Sequence, residues 1–181
     1  MIEVEIKVAV NNPEKLKNSL YELGFVKGEL IREKDTYFDT TEDFIRKNDR
    51  ALRLRSSENL ASGELLHSIA YKGPKLDKIS MTREELETEI TDSQVMKDLL
   101  VALGYVKMYS VIKTRQYFTL EDLTACIDSV NDLGEFLELE MVVSEEERES
   151  TLEHIVEFLE KIGYRKDEII RTSYLSMLQK K

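Results

Sequence analysis

A chain of 181 residues with 36 acidic against 26 basic side chains carries a formal charge of −10, so it lacks the positive exterior that draws nucleic acids or anionic membranes. Its single cysteine, Cys126, cannot close an internal disulfide, and its two histidines, His67 and His154, have no zinc-ligand spacing. With no apolar run near the length of a membrane span, an amino terminus too charged for a signal peptide and no linker-like stretch, the expectation is one cytoplasmic domain over 1–181.

The first element alternates strictly. Ile2, Val4, Ile6 and Val8 form an apolar face, and Glu3, Glu5 and Lys7 form the other, which is the period of a strand. Two like charges side by side repel unless a cation or basic groups stand between them. Asn12 and Pro13 then open a helix that sets Leu16, Leu20 and Leu23 on one stripe before Gly24. Strands are predicted near Ile31, running into Asp35-Thr36-Tyr37-Phe38, and at Ala51-Leu52-Arg53-Leu54-Arg55. Two more follow, near His67, ending at Tyr71-Lys72-Gly73-Pro74, and near Thr82, with Arg83, Glu85, Glu87 and Glu89 on one face.

Asp92 begins a second helix, with Val95, Leu99, Leu100 and Leu103 as its stripe and Gly104 as its stop. A strand near Ser110 carries Lys113 and Arg115, one near Leu123 carries Asp128, and the turn Asn131-Asp132-Leu133-Gly134 leads to a strand near Glu135 with Glu138 and Glu140. Ser144 and Glu147 fit a capping box ahead of Leu152, Ile155, Val156, Leu159 and Ile162, closed by Gly163. Each acidic strand thus leads into an amphipathic helix, then glycine, an aromatic residue and a lysine: Phe25 and Lys27, Tyr105 and Lys107, Tyr164 and Lys166. This is an approximate strand-helix-strand repeat.

Eight alternating strands separated by turn signals predict an α+β fold, a closed eight-stranded antiparallel β-barrel with the helices packed outside. An open sheet with one wet face is the alternative. The charge blocks favour the barrel, because faces of one sign need compensation from other strands. Turned inward, Arg53, Arg55, Lys72, Lys113 and Arg115, with Lys7 and Arg83, suit several phosphate groups. Glu3, Glu5, Asp128, Glu138 and Glu140 offer hard oxygens to Mg²⁺ or Mn²⁺. Together they fit a metal-bound triphosphate, and no glycine-rich phosphate loop is present. Cys126 reads as a small buried group, His67 and His154 as structural or surface residues, Tyr37, Phe38, Tyr117 and Phe118 as core, and Glu145 to Glu149 as a solvated helix start.

Glu-Val-Glu-Ile-Lys at 3 to 7 resembles the Glu-x-Glu-x-Lys signature of the CYTH family, the triphosphate tunnel metalloenzymes. Arg53-x-Arg55, Tyr71-Lys72-Gly73-Pro74, Arg83-x-Glu85, Lys113-x-Arg115, Asp128 and Glu138-x-Glu140 follow in the family's order over nearly the whole chain. The resemblance implies a tunnel that binds a nucleoside or inorganic triphosphate with divalent metal, in a family that includes class IV adenylyl cyclases, thiamine and inorganic triphosphatases and some RNA triphosphatases. Asp35-Thr36-Tyr37-Phe38 and Ser173-Tyr174-Leu175 are most similar to the cyclase branch, and Ala70 stands where the family often has a hydroxyl residue.

The implied roles are catalytic cations at Lys7, Arg53, Arg55, Lys72, Lys113 and Arg115, with Arg83 added for substrate binding. The implied metal ligands are Glu3, Glu5, Asp128, Glu138 and Glu140, while Glu85, Glu87 and Glu89 would orient Arg83 or hold a second metal. The expected partner is a small-molecule triphosphate, with no nucleic acid or membrane. An exposed helix layer would suit a homodimer. A triphosphatase and a non-catalytic triphosphate-binding module are the competing functions.

Overall fold

The computed structural model describes residues 2–180. Its strands are β1 (Ile2–Ala9), β2 (Val26–Asp39), β3 (Ala51–Asn59), β4 (Leu65–Lys72), β5 (Arg83–Glu89), β6 (Val106–Leu120), β7 (Leu123–Val130) and β8 (Gly134–Val143). They close in the order β1-β5-β4-β3-β2-β6-β7-β8, each pair antiparallel. The helices are α1 (Pro13–Glu22), a short α2 (Phe44–Lys47) that the apolar pattern did not signal, α3 (Ser93–Ala102), α4 (Arg148–Lys161) and α5 (Tyr174–Leu178). Among the described residues no helix is long and apolar enough to cross a membrane.

The apolar core lies outside the barrel. Val4, Ile6 and Val8 of β1 and Leu137 and Leu139 of β8 are covered by Leu16 and Leu20 of α1 and by Ile155 and Leu159 of α4. Both helices form because their apolar residues recur at three- and four-residue steps. The Asn12 side chain accepts from Lys15 N, and Pro13 takes the first position, where a missing N–H costs nothing. Gly24, Gly104 and Gly163 end α1, α3 and α4 with φ near +91°, +93° and +91°, a conformation that a Cβ opposes.

The second helix departs from expectation. Only Leu100 of α3 is buried, against Phe38 and Leu54, while Val95, Leu99 and Leu103 stay exposed. A ten-residue helix crossing the barrel wall meets that surface along a narrow line, so most of its stripe finds no partner.

One seam of the barrel is short. β1 meets β8 through eight residue pairs from Ile2↔Val143 to Ala9↔Phe136, but it meets β5 only at Ile2↔Glu84 and Glu3↔Arg83. Backbone donors from elsewhere complete it: Met81 N donates to Glu5 O at 2.9 Å and Ile170 N to Lys7 O at 2.7 Å. Arg171 fastens these two segments together by donating to Asp77 O at 2.6 Å and Ser80 O at 3.3 Å.

Candidate active site

Strict alternation sends the charged residues inward, and they line a cavity of about 520 Å³ running through the barrel. Twelve basic and nine acidic side chains line it, so the interior is cationic in a chain that is acidic overall. Lys7, Arg53, Arg55, Lys72, Arg83, Lys113 and Arg115 all lie on this wall, as do Glu3, Glu5, Glu138 and Glu140.

Register puts opposite charges face to face around the ring: Asp35↔Arg55, Glu33↔Lys113, Arg115↔Asp128, Lys7↔Glu138 and Lys72↔Glu85. Arg55 holds Asp35 through two bonds, at 2.6 and 2.7 Å, and Glu33 at 3.0 Å. Lys72 lies 2.8 Å from Glu3 and 2.9 Å from Glu85, and Arg53 lies 3.1 Å from Glu85. Arg115 also contacts Glu138, which in turn lies 3.4 Å from Lys7. Such paired cations keep their full charge while their heads are held in place.

Asp128 sits behind this ring. It is fully buried, is absent from the cavity lining, and accepts from Lys113 at 2.9 Å, Arg115 at 2.6 and 2.7 Å, and the Tyr174 hydroxyl at 3.0 Å. Its place in this structure is that of an anchor for two cations, Lys113 and Arg115. Tyr174 adds its ring face to Lys7 at 4.3 Å and to Lys113 at 5.4 Å.

One pair breaks the rule of opposite charges: Glu5 stands directly across from Glu140. Burial, then the charge of Glu138, pushes the Glu5 carboxyl up to about 8. Burial and the nearby Glu3 and Glu138 raise Glu140 as well, although Arg115 opposes them. Burial also lifts Glu85 to about 7, helped by the charge of Glu3. Glu3 and Glu138 go the other way. Burial works against both, but Lys72 brings Glu3 down to about 2, and Arg115, Lys113 and Lys7 hold Glu138 well below the usual carboxylate range.

Among the described residues no three acidic or histidine side chains stand together in ligating geometry. The donors nonetheless fit a hard divalent cation, since Glu5 and Glu140 are adjacent carboxylates whose raised affinity for protons signals a missing positive charge.

Several residues take places that the chain order had not suggested. Glu33 and Asp35, 2% and 3% exposed, belong to the interior ring, and their alternation with Tyr37 was the available signal. Tyr37 and Tyr117 line the cavity, whereas Phe118 is buried in the outer core and Phe38 packs on Leu54 and Leu100 while also reaching the cavity's edge. Neighbours in a strand face opposite ways, so both members of a Tyr-Phe pair cannot be core. The set Glu85, Glu87 and Glu89 does not orient Arg83: that guanidinium bonds Met81 O, Glu85 serves Lys72 and Arg53, and Glu89 is exposed. Cys126 is fully buried beside Glu140, its thiol pushed well up by burial. His67 pairs with the Ser56 hydroxyl at 3.0 Å, and His154 lies exposed on α4.

Residues 1–174 match the CYTH domain. A Methanocaldococcus jannaschii protein named "Putative adenylate cyclase MJ0240" is 40% identical over 178 residues, 98% of each chain. "Adenylate cyclase CyaB" of Aeromonas hydrophila is 27% identical over 145 residues, 80% of this chain and 71% of that one. Among solved structures, the PH1819 protein of Pyrococcus horikoshii OT3 superposes with a TM-score of 0.89 at 32% identity, covering 98% of both chains. With its barrel, its inward charges and these likenesses together, the chain belongs to the CYTH family.

Proposed function

We propose that this chain is a metal-dependent enzyme that holds a nucleoside triphosphate in the barrel and works as a class IV adenylate cyclase, converting ATP to cyclic AMP and pyrophosphate. One observation carries the reading: Lys7, Arg53, Arg55, Lys72, Lys113 and Arg115, from four strands, converge on one cavity of about 520 Å³. The cyclase names of the M. jannaschii and A. hydrophila relatives support the choice of reaction.

The cations neutralise charge that grows on the departing pyrophosphate. Because Asp35, Glu33, Asp128 and Glu138 already fix most of their heads, little reorganisation is needed when that charge appears. Glu5 and Glu140, with Glu3 and Glu138 beside them, would hold the divalent ion. Bound there, Mg²⁺ or Mn²⁺ supplies a Lewis acid that polarises a phosphoryl oxygen and acidifies the attacking hydroxyl. Asp128 contributes by keeping Lys113 and Arg115 in position. The side chains do not act as nucleophiles: burial keeps the Cys126 thiol protonated, and burial with the charges of Glu138 and Asp128 does the same for the Tyr174 hydroxyl.

A triphosphatase that sends water to the terminal phosphorus is the second reading. It is favoured by a lining rich in charge, with twelve basic side chains available to phosphate groups. Incubation of the pure protein with ATP and Mn²⁺ tests both. Cyclic AMP with pyrophosphate is expected; orthophosphate from ATP, or turnover of tripolyphosphate, would replace the cyclase by the triphosphatase.

A further inference from the structure

Of the aromatic side chains on the cavity wall, Tyr37, Phe38 and Tyr117 come from strands, and Tyr174 reaches in from α5. That helix has five residues, too few to persist without packing, so its docking is what places the ring. Ser173 caps it by accepting from Ser176 N at 3.2 Å, and the Tyr174 ring lies 5.1 Å from that of Phe136 in a cluster with Val111 and Val130. Just before the helix, Ile170 N donates to Lys7 O at 2.7 Å, which fastens the segment carrying Tyr174 to the strand carrying Lys7. The hydroxyl donates to Asp128 Oδ2 at 3.0 Å, and the ring faces the Lys7 ammonium at 4.3 Å.

Lys7 depends on this contact more than its neighbours would. Arg53, Arg55, Lys72, Lys113 and Arg115 each have a carboxylate at 3.1 Å or closer. The nearest carboxylate to Lys7 is Glu138, at 3.4 Å, and Arg115 holds that group more closely. Among the described residues Glu138 is the one hydrogen-bond partner of the ammonium, although the charges of Glu5 and Lys7 also act on each other. Lys113 meets the same ring at 5.4 Å, but Asp128 at 2.9 Å and Glu33 at 3.3 Å already fix it. A carboxylate cancels the charge of the cation it holds, whereas an aromatic face attracts an ammonium through its quadrupole and adds no net negative charge. Lys7 is therefore the cation of the six that is fixed in place with its charge least offset.

We propose that Tyr174 is a positioning residue for the reaction: its ring face fixes the Lys7 ammonium and leaves that charge to act on the reacting phosphoryl group. The proposal rests on the triphosphate reading of the cavity. Two measurements on the full chain test it. In NMR spectra of protein carrying ¹³C-labelled lysine, the Lys7 ε-methylene protons, assigned by their loss in Lys7→Met, are expected upfield of the other lysines in the native protein and in Tyr174→Phe, because they lie over the ring. Turnover of ATP with Mn²⁺, followed by whichever product forms, is then compared for Tyr174→Phe and for its replacement by phenylalanine analogues with rising numbers of ring fluorines. Fluorine drains the ring face of negative potential while nearly keeping its shape, so kcat is expected to fall stepwise to about a tenth of the Tyr174→Phe value, with KM changed less than about twofold. A role in packing alone would not follow the fluorine count. Ordinary ε-methylene positions in the native protein, or a kcat indifferent to fluorination, would overturn the proposal and leave the chemistry of the cavity standing. Absence of turnover of both ATP and tripolyphosphate in the native protein would bring down the triphosphate reading, and this proposal with it.

Discussion

The wall built from β2, β3, β6 and β7 and the wall built from β1, β5 and β8 contain the same kinds of side chain but solve opposite problems. On the first, three buried carboxylates have a guanidinium or ammonium in contact, Asp35 with Arg55, Glu33 with Arg55 and Lys113, Asp128 with Lys113 and Arg115, and Asp39 at the end of β2 is held by backbone amides. On the second, Glu5, Glu140 and Glu85 are pushed toward the protonated form by burial and by the charge of Glu3, joined at Glu5 and Glu140 by that of Glu138. The first wall is electrically complete and belongs to the fold. The second is short of positive charge, which marks it as the side where an added cation does most.

The comparison breaks most readily at Asp128. Asp128→Ala leaves Lys113, Arg115 and Tyr174 facing a buried gap, so a loss of about 3–5 kcal/mol is expected in urea unfolding. A loss near zero would mean that the cations relax outward and that the wall is not built around this carboxylate. On the acidic wall the sign reverses. Glu5→Gln removes an unfavourable buried charge and is expected to stabilise the metal-free protein at pH 8 by about 1–2 kcal/mol, while abolishing turnover and the rise in melting temperature with Mn²⁺. A variant that melts lower than its parent would show that Glu5 is already compensated.

The same wall sets a pH dependence. A carboxyl raised from 4.5 to about 8 in the folded chain binds its proton there after the unfolded chain has released it, so stability is greatest below 4.5 for this group and falls as pH rises toward 8. Glu85, raised to about 7, adds to the fall. Glu3, lowered to about 2 by Lys72, acts in the other direction and is felt only as pH drops below 4.5. Unfolding of the metal-free protein followed between pH 5 and 8 should lose on the order of 5 kcal/mol, and Glu5→Gln should flatten the curve.

Much of this was legible because a strand writes its faces into alternate residues. Ile2 to Val8, Arg53 with Arg55 and Glu138 with Glu140 each announce a face, and eight such segments with no edge to spare lead to a barrel. What alternation cannot give is register. Whether Glu5 meets Glu138, Glu140 or Val142 across the seam depends on how β8 slides against β1, and a slide of two residues in one direction would separate the like-charged pair. For the same reason alternation alone does not tell that Asp128 stands against Lys113 and Arg115. The exposed stripe of α3 was misjudged because helical spacing reports an apolar face without reporting how much surface is available to cover it.

Cys126 provides the mildest test of the contrast between walls. It faces the interior between them, fully buried, with its sulfur 3.8 Å from Glu140 and its strand position directly across from Glu138. A thiol that burial keeps neutral contributes packing and a weak donor, and nothing that turns over substrate. Cys126→Ala should therefore cost about 1 kcal/mol of stability and leave kcat unchanged, whereas Cys126→Asp should add a further negative charge to the deficient wall and prevent folding in the absence of metal. Were Mn²⁺ to rescue the aspartate variant, measured as recovery of the native circular dichroism signal on titration, the deficit of that wall would be one that a divalent ion makes good. No recovery at any Mn²⁺ concentration would place the missing charge away from Glu140.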